Sequence, residues 1–406
     1  MNELEATISQ VIDENNISFE WGKEVLNELK HAELDLNSKR KDLTRVPFIT
    51  IDGSDAKDFD DAIHCIYSKS SFTLSVAIAD VAELVQPGTA LDDEALNRGT
   101  SIYFPSKVIP MLPEEISNGL CSLVPNQIRN VVVCEITFSE IGEIQNYNFF
   151  EARIKSHKRM TYAEVDKFLA AGSGLESNIS NSIKSLHKLT KVLLKIRGKR
   201  GALEIESQEP LLDINVEGKV KKIILPERLF SHRMVEESML AANVCAANFM
   251  NKHYNFGVYR IHEEPDELKL ESLKKFFSLK GFSGSFSKDP ANLIKQCLLH
   301  SRDNKLNKAL QTVVLQSLKR AEYSTEELGH FGLQLQRYSH FTSPIRRYPD
   351  LMTHRMIKNI LNNSSNATNK DNIEEICIDM SGLERVAEKS SRQVTQQMIC
   401  LSLIHI

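Results

Sequence analysis

The stretch Ile51-Asp52-Gly53-Ser54-Asp55-Ala56-Lys57-Asp58-Phe59-Asp60-Asp61-Ala62 sets five carboxylates within ten residues, with Lys57 as the one local cation. Carboxylates converging to within about 6 Å repel by roughly 2 to 3 kcal/mol per pair at an effective dielectric near 20, so a converging cluster calls for a counter-ion. Oxygen ligands without a neighbouring His or Cys suit a hard ion, Mg²⁺ or Mn²⁺, which keeps positions open for water and phosphate oxygens. Several carboxylates together suggest two-metal phosphoryl chemistry, with Asp52, Asp58, Asp60 and Asp61 as the candidate ligands. An Asp-rich loop ordinarily just faces water. Here the flanks, Val46, Phe48, Ile49 and Ile51 before and Ala62, Ile63, Cys65 and Ile66 after, read as buried strands that pin both ends of the loop.

A second segment, Ser339-His-Phe-Thr-Ser-Pro-Ile-Arg-Arg-Tyr-Pro-Asp350, supplies the cations that the acidic stretch lacks. Pro344 suits the first turn of a helix with Ser343 as its cap, which would put Arg346 and Arg347 in that turn. Free backbone N–H groups, the positive helix end and two guanidinium groups would then face one place, an arrangement that binds phosphate.

The elements that must position these residues follow from periodicity. Residues 1–45 read as helical, an approach to the core too short to be a domain, and strands begin at Val46. Phe72–Ala79 is a clear strand, Leu91–Asn97 a short acidic helix, and Ser101–Pro105 a strand running into an ordered loop. Val131–Ser139 and Asn146–Lys155 flank a turn at Glu140-Ile-Gly-Glu143 and read as a hairpin. Helices dominate thereafter: Tyr162–Ala170, Ile179–Arg197, a long one opened by Pro226, then Pro265–Leu279, Pro290–Ser301, Leu306–Ala321, Pro344–Asn362 and Asp371–Cys400. Residues 362–369, rich in Asn and Ser, read as a surface loop. Strands first and helices after predict an α+β fold, with helices packed on a mixed sheet.

The chain has 406 residues, enough for a large core, and a net charge of −4. Sequence-independent affinity for nucleic acid comes from neutralised phosphates, so an acidic total demands that the basic residues be grouped locally. They are, at Lys39-Arg40-Lys41, Lys155–Arg159, Lys195–Arg200 and Arg346-Arg347. Seven cysteines without a C-x-x-C pair fit buried thiols in a reducing cytoplasm. No apolar run is long enough to span a bilayer, and the first residues are not a signal peptide, so a cytoplasmic location is expected.

Taken in order, Asp52-x5-Asp58-x-Asp60-Asp61, Tyr103-Phe-Pro-Ser-x-Val-Ile-Pro-Met-Leu-Pro113, Lys199-Arg-Gly-Ala202, His232-Arg-Met-Val-Glu-Glu-x-Met-Leu-Ala-Ala-Asn-Val244 and Phe341-Thr-Ser-Pro-Ile-Arg-Arg-Tyr348 resemble the catalytic (RNB) domain of the ribonuclease II and ribonuclease R family. Asp52-Gly-Ser-Asp55-Ala and Arg200-Gly-Ala-Leu203 resemble the bacterial ribonuclease R branch more closely. The resemblance implies an RNB-type fold with a central RNA channel and a processive, Mg²⁺-dependent 3′-to-5′ exoribonuclease that hydrolyses single-stranded RNA to 5′-mononucleotides. It makes Asp52, Asp58 and Asp61 metal ligands, Asp60 the carboxylate most tied to the chemical step, and Arg346 the contact to the scissile phosphate. It puts Tyr103 and Tyr259 where aromatics clamp the last bases, and Glu388 where a glutamate contacts the terminal nucleotide. His232, His262, His340 and His354 are expected to be structural.

Full members of the family carry RNA-binding β-barrels around the catalytic domain. The expectation here is a helical approach over 1–45, an RNB catalytic domain over 46–400, and a monomer. The last six residues, Leu401-Ser-Leu-Ile-His-Ile406, are the translation of CTG TCT CTT ATA CAC ATC, a transposon end used in library preparation. Residues 401–406 are therefore expected to be adapter-derived, with the natural chain continuing past Cys400. Two other classes of function stand beside the nuclease. One is a non-catalytic RNA-binding or regulatory protein that keeps the fold, which loss of a site carboxylate would favour; all four are present. The other is a phosphohydrolase of small nucleotides, which an enclosed base-stacking channel argues against.

Overall fold

The structure, a computed structural model, describes residues 2–204, 210–302, 307–364 and 369–404. Its centre is a mixed sheet of β1 (Lys41–Asp42), β2 (Phe48–Asp52), β3 (Asp61–Ser68), β4 (Ser71–Ala79), β7 (Ile128–Ser139) and β8 (Ile144–Thr161), in the order β1-β8-β2-β3-β4-β7. Between β4 and β7 lies a small hairpin, β5 (Ile102–Phe104) and β6 (Lys107–Ile109). β8 is 18 residues long and pairs with three strands, the short β1 among them. Ile144–Lys155 pairs antiparallel with β7, and Ser156–Thr161 pairs parallel with β2, which closes the sheet on itself. The Asn146–Lys155 strand expected from the sequence is only the first of these two parts.

Among the described residues three two-stranded pairings, of strands three to five residues long, lie outside this sheet: the β5–β6 hairpin, β9 (Leu211–Ile214) with β10 (Val220–Ile224), and β11 (Tyr259–Ile261) with β12 (Glu322–Ser324). The helices are α1 (Glu3–Glu14), α2 (Lys23–Leu29), α3 (Val81–Leu84), α4 (Ala90–Arg98), α5 (Tyr162–Ala171), α6 (Ser177–Arg200), α7 (Phe230–Tyr254), α8 (Glu267–Leu279), α9 (Pro290–Arg302), α10 (Asn307–Ser317), α11 (Tyr348–Leu361) and α12 (Lys370–Ile404). This α+β arrangement is the one that the order of strands and helices predicts.

The main core fills the space between the sheet and α6, α7 and α11: Phe48, Ile63, Leu74, Val132 and Phe149 from strands meet Met234, Cys245, Phe341, Leu351 and Ile357. A smaller core joins α8, α9 and α10 through Leu273, Phe277, Ile294, Cys297 and Val314. A third, with Ile8, Val11, Ile102, Phe104 and Val394, docks α1 on α12 and the β5–β6 hairpin. None of the seven cysteines is in a disulfide, and six are buried. Among the described residues no helix is long and apolar enough to cross a membrane. Residues 365–368 of the Asn/Ser-rich stretch, Leu306 and the final residues 405–406 lie outside the described residues.

Two helix starts differ from the periodicity. The long helix begins at Phe230, four residues after Pro226, where Asp166 accepts the backbone N–H groups of Phe230 at 3.1 Å and Ser231 at 3.0 Å. α11 begins at Tyr348 and not at Pro344, because Arg347 forms a bridge to Thr100 and residues 344–346 turn ahead of the helix.

Below this turn, His354 on α11 is fully buried and stacked on Phe341, with ring centroids 4.5 Å apart. Its Nε2 donates to the Phe341 carbonyl at 2.8 Å, which leaves Nδ1 buried without a partner. A second proton would have no acceptor, and burial holds its pKa down to about 4. The unfolded chain takes up that proton near 6.5, so the stability is complete above 6.5 and is lost as pH falls toward 4, on the order of 3 kcal/mol in all. In urea denaturation between pH 7 and pH 4.5, His354→Gln is expected to be less stable at pH 7 but to lose stability less steeply, by about one proton. An unchanged slope would contradict this account.

Candidate active site

Asp52 is the last residue of β2 and Asp61 the first of β3. Antiparallel pairing of these strands brings both to the same end of the sheet, joined by the loop 53–60. Ser122 pins that loop: its hydroxyl accepts from the Phe59 N–H at 3.0 Å and donates to the Lys57 carbonyl at 2.6 Å. Arg159 on β8 donates to the Gly53 and Ser54 carbonyls, both at 2.7 Å. The loop is therefore a held structure and not a solvated turn.

Asp60 is 5% exposed, and its carboxylate accepts from the Ile345 N–H at 2.9 Å and stands 3.8 Å from Arg346 Nε. Arg346 is itself held by its backbone, since its carbonyl accepts from the Ser101 N–H and the Thr100 hydroxyl, both at 3.0 Å. The Gly99 carbonyl accepts from the Tyr348 N–H at 2.9 Å. Gly99 ends α4 at φ 65°, and a Cβ there would meet Leu383 Cδ1 at 2.7 Å, so the close approach needs glycine. The same chain segment runs on into β5, where Tyr103 is 41% exposed and donates its hydroxyl to Asp58 at 3.0 Å.

Asp52, Asp58, Asp60, Asp61, Tyr103, Arg346 and Arg347 all line one pocket of about 800 Å³. Three expectations are corrected. Arg346 does not sit in a helical first turn, so its cationic neighbourhood comes from its side chain and not from a helix end. Arg347 lines the pocket, but its guanidinium is ion-paired at 2.8 Å with the fully buried Asp350, which also accepts from the Ser343 N–H at 2.8 Å. Its charge is consumed in fixing the turn. Tyr259 is 2% exposed in a core with Ala247 and Ile261, and donates its hydroxyl to Asn251 at 3.0 Å, so its ring offers no face to a base. Glu388, exposed on α12, lines a separate groove that adjoins the pocket through Arg260 and Ala321.

Tyr162, Glu236 and Arg260 also line the pocket, and sequence reasoning did not single them out. Tyr162 follows Thr161, the residue that pairs with Asp52 in the parallel β2–β8 register, so only that long-range pairing reveals it. His232 stacks on Tyr162 with centroids 3.9 Å apart, and Arg197 holds Glu236 at 2.7 Å.

Burial pushes the Asp60 and Asp61 carboxyls well above the usual range, and the Asp52 charge adds to this at Asp61. Asp52 is raised by burial and then by Asp58, against the pull of Arg159 and Arg346. Asp52 Oδ2 and Asp61 Oδ2 are buried without any hydrogen-bond donor. Among the described residues no three His, Cys, Asp or Glu side chains already stand as a metal cage. Mutually repelling carboxylates with orphaned oxygens nonetheless fit a hard divalent cation, which would draw them together.

With this geometry in view, the RNB domain family model matches residues 40–363, and the chain belongs to that family. It is 42% identical over 360 residues to Ribonuclease R of Vibrio parahaemolyticus, a match covering 86% of this chain and 43% of the relative. To Ribonuclease R of Escherichia coli it is 45% identical over 329 residues, covering 79% and 40%. The chain thus spans about two-fifths of the length of these relatives. Mycoplasma genitalium RNase R in complex with ribose-methylated single-stranded RNA superposes with a TM-score of 0.92 at 31% identity, covering 99% of this chain and 65% of that one. Yeast Ssd1, a pseudonuclease, matches at 18% identity with a TM-score of 0.78, covering 98% of this chain and 50% of that one, a likeness of fold alone.

The raised carboxyls fix a sign. A group whose folded pKa is raised contributes stability that is fully present below its unfolded value and lost as pH rises through the folded one. Asp61→Asn removes one buried, unpartnered charge, so in EDTA at pH 8 the variant is expected to exceed the parent chain by about 1 to 3 kcal/mol, the gain shrinking toward acid pH. A lower melting temperature for the variant at pH 8 would contradict the placement of that charge.

Proposed function

We propose that the chain is a processive 3′-to-5′ exoribonuclease that hydrolyses single-stranded RNA to 5′-mononucleotides with Mg²⁺, Mn²⁺ being an acceptable substitute. The observation that carries the reading is Asp60, buried 3.8 Å from Arg346 on a wall shared with Asp52, Asp58 and Asp61. A pseudonuclease shares the fold, so the fold does not decide the activity, and the reading rests on the four carboxylates. Similarity to ribonuclease R proteins, one of them in complex with single-stranded RNA, supports RNA as the substrate.

In this reading Asp52, Asp58 and Asp61, with Asp60, would hold the divalent cation. Bound there, it supplies a water acidic enough to attack near neutral pH and charge stabilisation at the departing 3′ oxygen. Arg346, with a half-exposed side chain beside Asp60, binds a non-bridging oxygen of the scissile phosphate and balances the charge that develops on it. Tyr103 offers an exposed ring to a terminal base, and every base has a π-face, so stacking worth about 1 to 3 kcal/mol tolerates any sequence. Its hydroxyl on Asp58 ties the stacked base to the metal-binding loop. Arg347 positions the turn through Asp350, and neither Tyr259 nor Glu388 is given a contact in the pocket.

Oligoribonucleotides labelled at either end test the reading. With Mg²⁺ we expect stepwise loss from the 3′ end, abolished in Asp60→Asn and slowed about 10²- to 10³-fold in Arg346→Ala, the cost of losing one preorganised charge-stabilising donor. Internal cuts, or equal rates in the chain and Asp60→Asn, would overturn it.

A further inference from the structure

α6 carries seven Lys and Arg residues in 24 and no Asp or Glu, in a chain whose net charge is −4. Arg197 is occupied by Glu236 and Glu237, and Arg200 donates to the Leu333 carbonyl. The other five, Lys184, Lys188, Lys191, Lys195 and Lys199, are all exposed. Steps of four, three, four and four residues place them within about 80° of one helix face, over a rise of about 22 Å. Among the described residues none of the five is in an ion pair.

A groove of about 660 Å³ opens where this face begins, between α6 and β3. Asn178 and Asn181 line it beside Lys184 and Lys188, and Lys188 stands 5.2 Å over the ring of Tyr67. His64 also lines it, 9% exposed, with its Nδ1 buried and without a hydrogen-bond partner. Amides, lysines and an exposed tyrosine ring gathered around one groove suit a base with its phosphates. Tyr67 lies six residues along β3 from Asp61, about 20 Å from the carboxylates. At its other end α6 reaches Arg197, which holds the pocket residue Glu236. Arg197 is buried and points about 160° round the helix from the lysines, so the lysine face starts at the groove and runs along the outer side of the helix whose inner side braces the pocket.

We propose that this face and groove form a second contact surface for single-stranded RNA, binding the phosphates of a strand whose 3′ end occupies the carboxylate pocket. The proposal rests on the exoribonuclease reading and adds a site remote from its chemistry. Charge complementarity selects the occupant: five cations without acidic neighbours on their helix attract a polyanion with a charge on every residue far more strongly than another copy of this chain, whose net charge is only −4 over 406 residues. Linking the two contacts through one strand makes the second nearly intramolecular, so it acts only on strands long enough to reach both.

The test uses the full chain with Lys184→Gln, Lys188→Gln, Lys191→Gln and Lys195→Gln combined, in the Asp60→Asn background for binding and with Asp60 intact for hydrolysis. Anisotropy across a salt series compares strands of about 5 and about 30 nucleotides, the long one alone reaching the lysine face. The long strand is expected to weaken about tenfold or more, and its salt slope to become shallower by about 2 to 3, four lysines at roughly 0.7 each. The short strand should bind, and be hydrolysed, as before, with the melting temperature unchanged. Unaltered affinity for the long strand, or equal loss at both lengths, would overturn the proposal. So would loss of binding to phosphatidylserine vesicles with long-RNA affinity intact, which assigns the face to lipid. A parent chain that neither binds nor hydrolyses the short strand would instead refute the underlying nuclease reading.

Discussion

Four aspartate side chains confined to the end of one sheet repel each other, and the architecture around them is what keeps them together. Asp52 and Asp61 arrive by strand pairing, while Asp58 and Asp60 arrive on a loop bound by Ser122 and Arg159. The orphaned oxygens of Asp52 and Asp61 mark where that confinement is least compensated. Burying an unpaired carboxylate costs several kcal/mol, so the core beneath must outweigh it. The closed sheet, with β8 joined to both β7 and β2, provides that stiffness. Local instability of this kind belongs to sites whose ligands neutralise it.

The opposing wall depends on a relay from core to surface. Asp350, fully buried, binds Arg347 and the Ser343 N–H, and so sets the turn that carries Arg346. Thr100 and Ser101 clamp the Arg346 carbonyl, and the chain then runs directly to Tyr103. Arginine, stacking tyrosine and Asp60 are thus coupled through a few short backbone contacts. Loss of the Arg347–Asp350 pair would displace Arg346 and Tyr103 without removing any of the four site carboxylates.

The acidic loop was legible in the sequence because apolar residues flank it on both sides, and the same logic found β4, α4 and α12. The start of α11 was not, because Pro344 and Ser343 make a good local cap and only the bridge from Arg347 to Thr100, remote in sequence, overrides it. β8 was read short because its second half, rich in Lys, Arg and His, is a strand only by virtue of β2. Tyr259 illustrates a further limit: a tyrosine in a strand has the same local sequence whether its ring faces a ligand or a core, and Asn251 decides the matter. Tyr162 and Glu236 reach the pocket through the β2–β8 register and the grip of Arg197, neither of which leaves a local pattern.

The central claim is that these carboxylates form one divalent-cation site. Electron paramagnetic resonance of Mn²⁺ titrated into the chain, in the absence of RNA, measures this directly. Saturable binding that Mg²⁺ displaces, and that the double variant Asp52→Asn with Asp61→Asn loses, is the predicted result. Free Mn²⁺ signal throughout the titration, or binding untouched by the double variant, would contradict it.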